Sequence, residues 1–555
     1  MRDKPFETGR EMRSVASVIV EMLQDAGVDR VFSVSGESYL GLLDELERRN
    51  SVEVVTCRHE GGAGMMAVAD AKLTGKLGVC MVSRGPGAAN AAIGMHAAHQ
   101  DTVPFLLLVG QVEKAHLRRN AFQEVDYAKF FSGTAKWTAE LSDPSRVADV
   151  MSRAIHAACS GTPGPVVVSL PEDVLAEMVD LAVPRPHRMQ LGAPEPAALA
   201  EIAGWVATAE RPLLIAGGEL ADPEGRAALL RAAEAWHIPV MCSFRRHDLF
   251  PNRHPLFAGE LGFFNTPEQI RRLADSDLIL AVGTRLGDLT THGFTFPVSP
   301  QPKQRLVHVL RDPGMLGLNY VPDLALACSA RLFLRDLAAA PPAAAPPRGG
   351  WPAELKRLLA PVTTWVPKTG PDGVVFGNVV AELGRHIAAD AIVAMDAGIS
   401  AGMMYRYYPW TPPQVLLTPI AGTMGWGMPA AVAAAMRHPD RQVICMIGDG
   451  GMLMGGMELA VAAERNLPIV IVLANNASYG AIRLNLERAY PGRRTATDLH
   501  NPDFQTLARA FGCRTFSIDT EDEVAPVLAA AFAERALTVV EVKTSLSIAL
   551  PQRRE

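Results

Sequence analysis

The sequence predicts an α/β protein of three domains, each a doubly wound parallel sheet. Short apolar runs at 77–82, 278–282 and 469–473 favour buried strands, and helical stretches rich in alanine and methionine lie between such runs. This alternation of strand and helix is typical of a parallel sheet covered by helices. A chain of 555 residues is also too long for one hydrophobic core and suits about three.

Two proline-rich segments separate the predicted domains. Pro184-Arg185-Pro186 interrupts the first series of strands and helices, because proline continues neither a helix nor a central strand. The stretch 338–350 contains four prolines and two glycines, a composition typical of linkers. We therefore predict domains at 1–182, 195–338 and 352–555.

Composition excludes several classes of partner and location. The net charge of −6 gives no basic surface for nucleic acid. No uninterrupted apolar stretch reaches about 18 residues, so we expect no membrane span. The first residues lack the apolar core of a signal peptide, and the seven cysteines are scattered without a CxxC pair. Together these features favour a protein with free thiols in the cytoplasm.

The most informative stretch follows the apolar run 442–447. Gly448-Asp449-Gly450 comes directly after that run, a helix-like stretch covers 452–466, and Asn475-Asn476 ends the next predicted strand. A glycine turn lets backbone amides approach a phosphate. Parallel strands end at one sheet edge, so Asp449 and Asn476 can converge, and their oxygens suit Mg²⁺. The alternative is a tight turn and a polar strand end in an ordinary α/β sheet.

This stretch resembles the thiamine-diphosphate signature, in which GDG is followed by NN at about this interval. With the three-domain layout, nearly the whole chain resembles the superfamily of thiamine-diphosphate-dependent 2-oxo-acid decarboxylases and acetolactate synthases. The resemblance implies a pyrimidine-binding (Pyr) domain, a central nucleotide-binding-like domain and a diphosphate-binding (PP) domain, with thiamine diphosphate and Mg²⁺ as cofactors. It implies metal ligands at Asp449, Asn476 and the main-chain oxygen of Ser478. The cofactor-binding positions that it implies in the last domain are Gly398, Ile399, Ser400, Gly422, Met424, Gly448, Asp449, Gly450, Gly451, Asn476, Tyr479 and Gly480.

Glu60 and Met424 are the two side chains that the resemblance assigns to activation of the cofactor. Arg58-His59-Glu60 is similar to the superfamily's RHE segment, whose glutamate binds the aminopyrimidine N1′ and drives it to the imino form. This makes Glu60 both catalytic and cofactor-binding. Met424 is similar to the apolar residue that supports the bent cofactor. The alternatives are an acidic residue at a helix N-terminus for Glu60 and an ordinary glycine-rich loop around Met424.

Three further segments lie on the substrate side of the predicted site. The turn 85–90, GPGAAN, and Phe122-Gln123 resemble acetolactate-synthase segments, which implies that Phe122 and Gln123 lie near the reacting centre. Glu37 follows a glycine, as an acidic residue does in enzymes similar to pyruvate decarboxylase, and could relay a proton. The alternatives are core packing for Phe122 and a helix N-terminal acid for Glu37.

The sequence departs from the family patterns at two places. Asn485 stands where acetolactate synthases carry a tryptophan that favours the larger 2-oxobutyrate, which weakens the case for that acceptor. Leu310 stands where FAD-binding relatives have the first acid of an HxDxDP motif. FAD is therefore a possible cofactor that the sequence does not predict.

The combined motifs favour decarboxylation of a 2-oxo acid with carboligation, of the acetolactate-synthase kind. The alternatives are a simple 2-oxo-acid decarboxylase, a C–C lyase or hydrolase, and a non-catalytic subunit that binds thiamine diphosphate. The expected partners are a small 2-oxo acid and further copies of the chain. The resemblance implies a homodimer or a dimer of dimers, a homotetramer, with active sites at the subunit interface.

Overall fold

The computed structural model of the protein describes residues 12–185, 189–342, 346 and 348–548. Three parts of the sequence predictions lie outside the described residues. These are the first residues, on which the signal-peptide argument depends, Pro186, and part of the stretch 338–350. The chain divides into two compact units. The first unit holds the described residues up to Met189, with Val432–Arg437 and Met457–Val461, and the second unit holds the remainder.

The first unit is built on a six-stranded parallel sheet of order β3-β2-β4-β5-β7-β6, with β1 and β8 paired antiparallel beside it. Its strands are β1 (Arg13–Ser14), β2 (Arg30–Ser33), β3 (Glu53–Thr56), β4 (Gly78–Val82), β5 (Phe105–Gln111), β6 (Trp137–Glu140), β7 (Pro165–Pro171) and β8 (Met178–Val179). Its helices are α1 (Val15–Asp25), α2 (Leu40–Arg49), α3 (Glu60–Thr74), α4 (Gly85–Asp101), α5 (Tyr127–Phe130), α6 (Val147–Cys159) and α7 (Glu172–Ala176). Every residue of β5 and β7 is buried, as expected for central strands covered on both faces.

Helices α3 and α4 pack closely because glycines meet at their crossing. A Cβ atom added to Gly94 would lie 2.7 Å from the Cα atom of Gly64, so no larger residue fits without movement. The crossing fixes the first turn of α3 against α4. These two helices carry Glu60 and the predicted GPGAAN turn, respectively.

The second unit contains two six-stranded parallel sheets. The central sheet has the order β11-β10-β9-β12-β13-β14. Its strands are β9 (Pro212–Ala216), β10 (Val240–Cys242), β11 (Phe257–Glu260), β12 (Leu278–Val282), β13 (Arg305–Leu310) and β14 (Leu324–Ala327). The helices of this part are α8 (Pro196–Thr208), α9 (Pro223–Trp236), α10 (Pro267–Leu273), α11 (Ala330–Ala339) and α12 (Trp351–Thr363).

The C-terminal sheet has the order β16-β15-β17-β18-β20-β19. Its strands are β15 (Ile392–Met395), β16 (Val415–Leu417), β17 (Val443–Gly448), β18 (Ile469–Asn475), β19 (Arg514–Ile518) and β20 (Thr538–Lys543). The helices are α13 (Phe376–Leu383), α14 (Ile399–Tyr407), α15 (Gly427–Arg437), α16 (Asp449–Gly455), α17 (Leu459–Glu464), α18 (Gly480–Ala489), α19 (Phe504–Ala510) and α20 (Val524–Ala533). The prediction of three doubly wound parallel sheets is confirmed, whereas the domain boundaries stay predictions.

The structure differs from the sequence prediction in the helix after the GDG triplet. The predicted helix 452–466 is instead α16, which starts at Asp449, then a 3₁₀ turn at Gly456–Glu458, then α17. A Cβ atom on Gly455 would overlap the carbonyl of Gly425, so the chain bends where only glycine fits. Within the described residues, no helix combines the length and apolar character needed to cross a membrane.

Candidate active site

Asp449 lies at the carboxyl end of β17, where the neighbouring strand β18 also ends. Gly448 pairs with Ala474 across these parallel strands. One carboxylate oxygen of Asp449 accepts the amide hydrogen of Gly450 (2.9 Å), and the other accepts hydrogen bonds from the side chain of Asn501 (2.9 Å) and the amide of Asn476 (3.3 Å). The side chain is buried and burial raises the pKa of Asp449, since no basic side chain of the described chain pairs with it. A buried carboxylate of this kind suits a bound cation.

Asn476 lies beside Asp449, as the sequence predicts, and begins a tight turn. Its side-chain oxygen accepts the amide hydrogen of Ser478 (3.0 Å), and the intervening Ala477 has a positive φ of 50°. The Ser478 hydroxyl donates to the carbonyl of Thr497 (2.8 Å), and this hydrogen bond attaches the turn to the segment around Thr497. The described residues contain no group of three or more His, Cys, Asp or Glu suited to a metal. A metal here would therefore take one carboxylate with amide and carbonyl oxygens.

The glycines after Asp449 lie where a side chain would collide with neighbouring residues. A Cβ atom on Gly450 would lie 2.7 Å from the ring of Tyr479 and 3.3 Å from the terminal methyl of Met424. A Cβ atom on Gly451 would lie 3.0 Å from the carboxyl carbon of Asp396. The backbone of both glycines is thus closely surrounded, which explains why the segment carries no side chains here.

The loop that carries Met424 is held in place by Asp396 at the end of β15. The Asp396 carboxylate accepts the amide hydrogens of Gly425 (3.1 Å) and Gly427 (2.9 Å). Gly422 and Gly425 have φ values of 69° and 78°, a backbone conformation that favours glycine. Burial raises the pKa of Asp396 to about 7. The Met424 side chain remains 37% exposed, beside Gly450.

Gly398, Ile399 and Ser400 lie on the same sheet edge as Asp449. They follow β15, which pairs with β17 in parallel, and Gly398 caps α14 with a φ of 143°. The side chain of Ile399 would lie 2.6 Å from a Cβ atom on Gly480, so α14 and the start of α18 are in contact through a glycine. The structure therefore brings together all predicted cofactor-binding segments of the last domain.

In the first unit, Glu60 is the first residue of α3 and is joined to α4. The side-chain amide of Asn90 donates to Glu60 Oε2 (2.9 Å), and a Cβ atom on Gly87 would lie 3.5 Å from Glu60 Oε1. His59 caps the helix by accepting the amide hydrogen of Gly61 at its Nδ1 (2.9 Å). Two motifs that the sequence presents separately, RHE and GPGAAN, thus meet at Glu60, which is half-buried whereas Asn90 is exposed, and GPGAAN, predicted as a turn, forms the start of α4.

Glu458 is a buried residue of the first unit that sequence reasoning missed. Its carboxylate accepts the backbone amide hydrogens of Arg58 (3.2 Å) and His59 (3.1 Å), directly before Glu60. A Cβ atom on Gly62 would overlap that carboxylate, so glycine is required there. Burial raises the pKa of Glu458 to about 7. Glu458 therefore fixes the backbone that presents Glu60, and its only sequence signal is an acid within an apolar helical stretch.

Replacing Glu458 by Gln is expected to reduce the pH dependence of folding stability. The pKa of Glu458 is 4.5 in an ordinary environment and about 7 in the fold, so the folded state binds more protons between these values. The contribution of Glu458 to the free energy of unfolding is fully present below pH 4.5 and is lost as the pH rises through about 7. The loss is roughly 3 kcal/mol in the wild type and absent in E458Q. Denaturant unfolding at several pH values checks this, with the exposed Glu47→Gln as control; equal slopes for wild type and E458Q would contradict it.

Glu37, Phe122 and Gln123 are accessible in the first unit. Glu37 is 75% exposed at its side chain, and one carboxylate oxygen lies 3.8 Å from the guanidinium of Arg84. Phe122 is 75% exposed and so does not pack in the core of this chain. Gln123 has a φ of 64°, and its carbonyl accepts the amide hydrogen of Gly85 (3.1 Å), which attaches this segment to the start of α4. Their predicted roles near the reacting centre stay predictions.

Comparison with family models identifies all three parts of the chain. Residues 13–130 match the N-terminal TPP binding domain of thiamine pyrophosphate enzymes, 199–337 match the central domain and 396–542 match the C-terminal TPP binding domain. The chain belongs to the thiamine pyrophosphate enzyme family. The two outer parts of the chain are therefore binding domains for thiamine pyrophosphate, which is another name for thiamine diphosphate.

Acetolactate synthases are among the curated proteins that are similar to this chain. The chain is 32% identical to the acetolactate synthase large subunit of Parasynechococcus marenigrum, over 95% of this chain and 87% of that protein. It is 30% identical to the probable large subunit of Methanocaldococcus jannaschii, over 97% and 93% of the two chains. It is also 30% identical to the isozyme 3 large subunit of Escherichia coli, over 90% and 89%. The prediction of an acetolactate-synthase-like enzyme that uses thiamine diphosphate is confirmed.

The residues present fit the family cofactor. Side chains at positions 450 and 451 would collide with Tyr479 and Asp396, and Met424 beside them is accessible, so this backbone can be approached only because both residues are glycine. The buried carboxylate of Asp449, which forms no ion pair among the described residues, has the chemistry to hold a divalent cation. Sequence reasoning did not find Asn501, which fixes Asp449, because no local spacing connects a residue 52 positions away.

Proposed function

We propose that this family member decarboxylates a 2-oxo acid and joins the remaining carbon unit to a second carbonyl compound. The observation that carries the proposal is the Glu60 carboxylate held by Asn90 of the GPGAAN turn, in a chain whose relatives are acetolactate synthases. When bound, thiamine diphosphate supplies an electron sink for the carbon–carbon bond that breaks and the one that forms. The protein residues bind, orient and exchange protons.

Asp449, Asn476 and the main-chain oxygen of Ser478 are proposed to hold Mg²⁺. The convergence of Asp449 and Asn476 at the ends of β17 and β18 supports this assignment. Their oxygen donors are of the type that Mg²⁺ prefers, and Mg²⁺ keeps further positions for phosphate oxygens and water. The backbone amides of Gly398 and Gly451 are proposed to donate to the diphosphate, whereas the amide of Gly450 is used by Asp449.

Glu60 is proposed to exchange a proton with the aminopyrimidine through a carboxylate oxygen. The Asn90 amide occupies Glu60 Oε2 and Glu458 fixes the preceding backbone, so Glu60 Oε1 remains oriented for this exchange. Gly422 offers its backbone to the same ring, and Met424 supports the cofactor from below. Phe122 and Gln123 are proposed to contact the substrate.

The active site is proposed to combine Glu60 of one subunit with the Asp449 edge of another, in a homodimer or dimer of dimers. Exposed apolar side chains support an interface, since large apolar patches on an isolated chain often mark contact surfaces. Leu453, Met454 and Met457 are 49%, 52% and 58% exposed, and Phe122 is 75% exposed.

All seven cysteines lie within the described residues and are free thiols, which supports a cytoplasmic location.

The proposed mechanism does not require FAD, which the sequence leaves possible without predicting it. Leu310, the departure from the FAD-binding pattern, ends β13 with a buried side chain. The adjacent amide of Arg311 donates to the carboxylate of Glu219 (3.2 Å).

Product analysis tests the proposed reaction. The purified protein, with thiamine diphosphate and Mg²⁺, is incubated with pyruvate alone and with pyruvate plus a second 2-oxo acid, and products are identified by mass spectrometry. We expect CO₂ release together with a branched 2-hydroxy-3-oxo acid. Release of CO₂ with only the aldehyde would contradict carboligation and favour the simple decarboxylase, for which the exposed Glu37 is the candidate proton donor.

A further inference from the structure

A cavity of about 400 Å³ lies within the second unit, and Asp449 is not among its lining residues. It is open to solvent and is lined by β11, helix α12 and the C-terminal half of α14. Its walls combine aromatic rings with cations, and its inner end is formed by His247 and Glu260. The principal wall residues are Arg253, Phe257, Phe264, Lys356, Arg406 and Tyr407.

Two of these cations are partly buried without a carboxylate to compensate them. Lys356 donates from Nζ to the carbonyl of Asn252 (2.7 Å), and Arg406 donates from Nε to the carbonyl of Val362 (2.7 Å). Burial lowers the pKa of both side chains, and neither forms an ion pair with any residue that the structure describes. Partly buried positive charge without a partner is costly, so this wall favours an anion.

The aromatic rings beside these cations form flat apolar walls. The Lys356 ammonium lies 5.5 Å from the centre of the Phe257 ring. The Arg406 guanidinium lies 5.9 Å from the Phe264 ring centre and 5.4 Å from that of Tyr407. These contacts orient the cations along ring faces. A ligand whose anionic group contacts these two cations would place the planar part of the molecule between the aromatic rings.

The buried end of the cavity at His247 and Glu260 is polar. The side chains of His247 and Glu260 are 6% and 7% exposed. Burial lowers the pKa of His247 to about 4 and raises that of Glu260 to about 8. Among the described residues, His247 Nδ1 has no hydrogen-bond partner although it is buried. A neutral imidazole and a protonated carboxyl together supply a donor and an acceptor to a neutral polar group.

We infer that this cavity binds a planar organic anion, with its charge at Lys356 and Arg406 and its polar neutral end at His247 and Glu260. The volume lies within the range of about 300–1,000 Å³ that ligand pockets occupy and exceeds the needs of a three-carbon acid. None of its lining residues is a predicted catalytic, cofactor or metal position, so the site is distinct from that of the proposed substrate. A nucleoside monophosphate and an aromatic carboxylate both have this chemistry.

Calorimetric titration of the full-length protein, saturated with thiamine diphosphate and Mg²⁺, tests the inference. The probes are AMP, 2-naphthoate, adenosine and orthophosphate. We expect AMP or 2-naphthoate to bind one per chain with Kd below about 1 mM, at least tenfold more tightly than adenosine, which lacks the anion, and orthophosphate, which lacks the planar body. Binding of AMP alone identifies a nucleotide site, and binding of 2-naphthoate alone identifies an aromatic carboxylate site.

Variants locate the binding. Lys356→Met and Arg406→Met each remove one cation and should weaken binding at least tenfold, whereas the exposed Arg357→Met on the same helix should not. Ala360 lines the cavity, so Ala360→Trp should block it, with the exposed Ala353→Trp as its control. If Lys356→Met or Arg406→Met does not fold, Ala360→Trp still tests whether the ligand binds in this cavity. Failure of both anions to bind, or binding unchanged in K356M and A360W, would overturn the inference.

Discussion

Replacing Glu60 by Gln is expected to lower CO₂ release from 2-oxo acids by at least about 100-fold, while thiamine diphosphate still binds. Glutamine keeps the size of the side chain and an oxygen that can accept from Asn90, so the first turn of α3 should be preserved. It cannot exchange a proton, which is the function proposed for Glu60. A coupled assay of CO₂ release together with calorimetric titration of thiamine diphosphate checks both parts.

The matched control is Glu47→Gln, since Glu47 is an exposed glutamate of the neighbouring helix α2. It should leave CO₂ release unchanged. An E60Q variant that retains a tenth or more of the wild-type rate would remove Glu60 from the proposed mechanism. Loss of cofactor binding as well as activity would indicate that Glu60 acts mainly by holding the cofactor.

Replacing Asp449 by Asn is expected to weaken binding of thiamine diphosphate in the presence of Mg²⁺ by at least about 100-fold. The substitution removes the one carboxylate of the proposed metal site and sets the newly introduced amide group against the side-chain amide of Asn501. In the variant without cofactor, removal of the buried charge favours the fold and the mispaired amide disfavours it, so we expect at most a small change in the unfolding temperature.

Quenching of protein fluorescence by thiamine diphosphate, with and without Mg²⁺, measures the effect. Asp440→Asn serves as control, because Asp440 is exposed in the turn before β17. If D449N binds thiamine diphosphate with wild-type affinity and the same Mg²⁺ dependence, Asp449 is not a metal ligand. A large drop in the unfolding temperature without cofactor would show that Asp449 instead stabilises the fold.

The sequence predicts those parts of the site whose residues directly follow consecutive strands along the chain. Asp449 directly follows one buried strand and Asn476 follows the next, and parallel pairing of β17 with β18 brings them to one edge. Central strands such as β5 and β18 are uninterrupted apolar runs and are therefore recognised easily. The edge strand β6, half-buried along its length, has no such run and was not predicted.

The parts that the sequence does not predict depend on contacts between distant residues. Glu458 binds the amide of His59 across 399 positions, and no spacing rule connects the two. The carboxylate of Asp396 organises the loop of Gly425 and Gly427, about 30 positions along the chain, and no local spacing indicates this contact. Close approaches such as that of Gly455 to Gly425, which bends the helix after Asp449, likewise appear only in three dimensions.

Co-expression of the E60Q and D449N chains tests most directly whether two subunits together build the active site. In a twofold-symmetric dimer with shared sites, a mixed dimer has one site with both defects and one site with none. If the two chains pair at random, half of the dimers are mixed, and one of the two sites in each mixed dimer is intact. We therefore expect about a quarter of the wild-type activity, although each variant alone is nearly inactive. Activity no higher than that of the separate variants, with mixed dimers demonstrated by differential tags, would contradict the shared site.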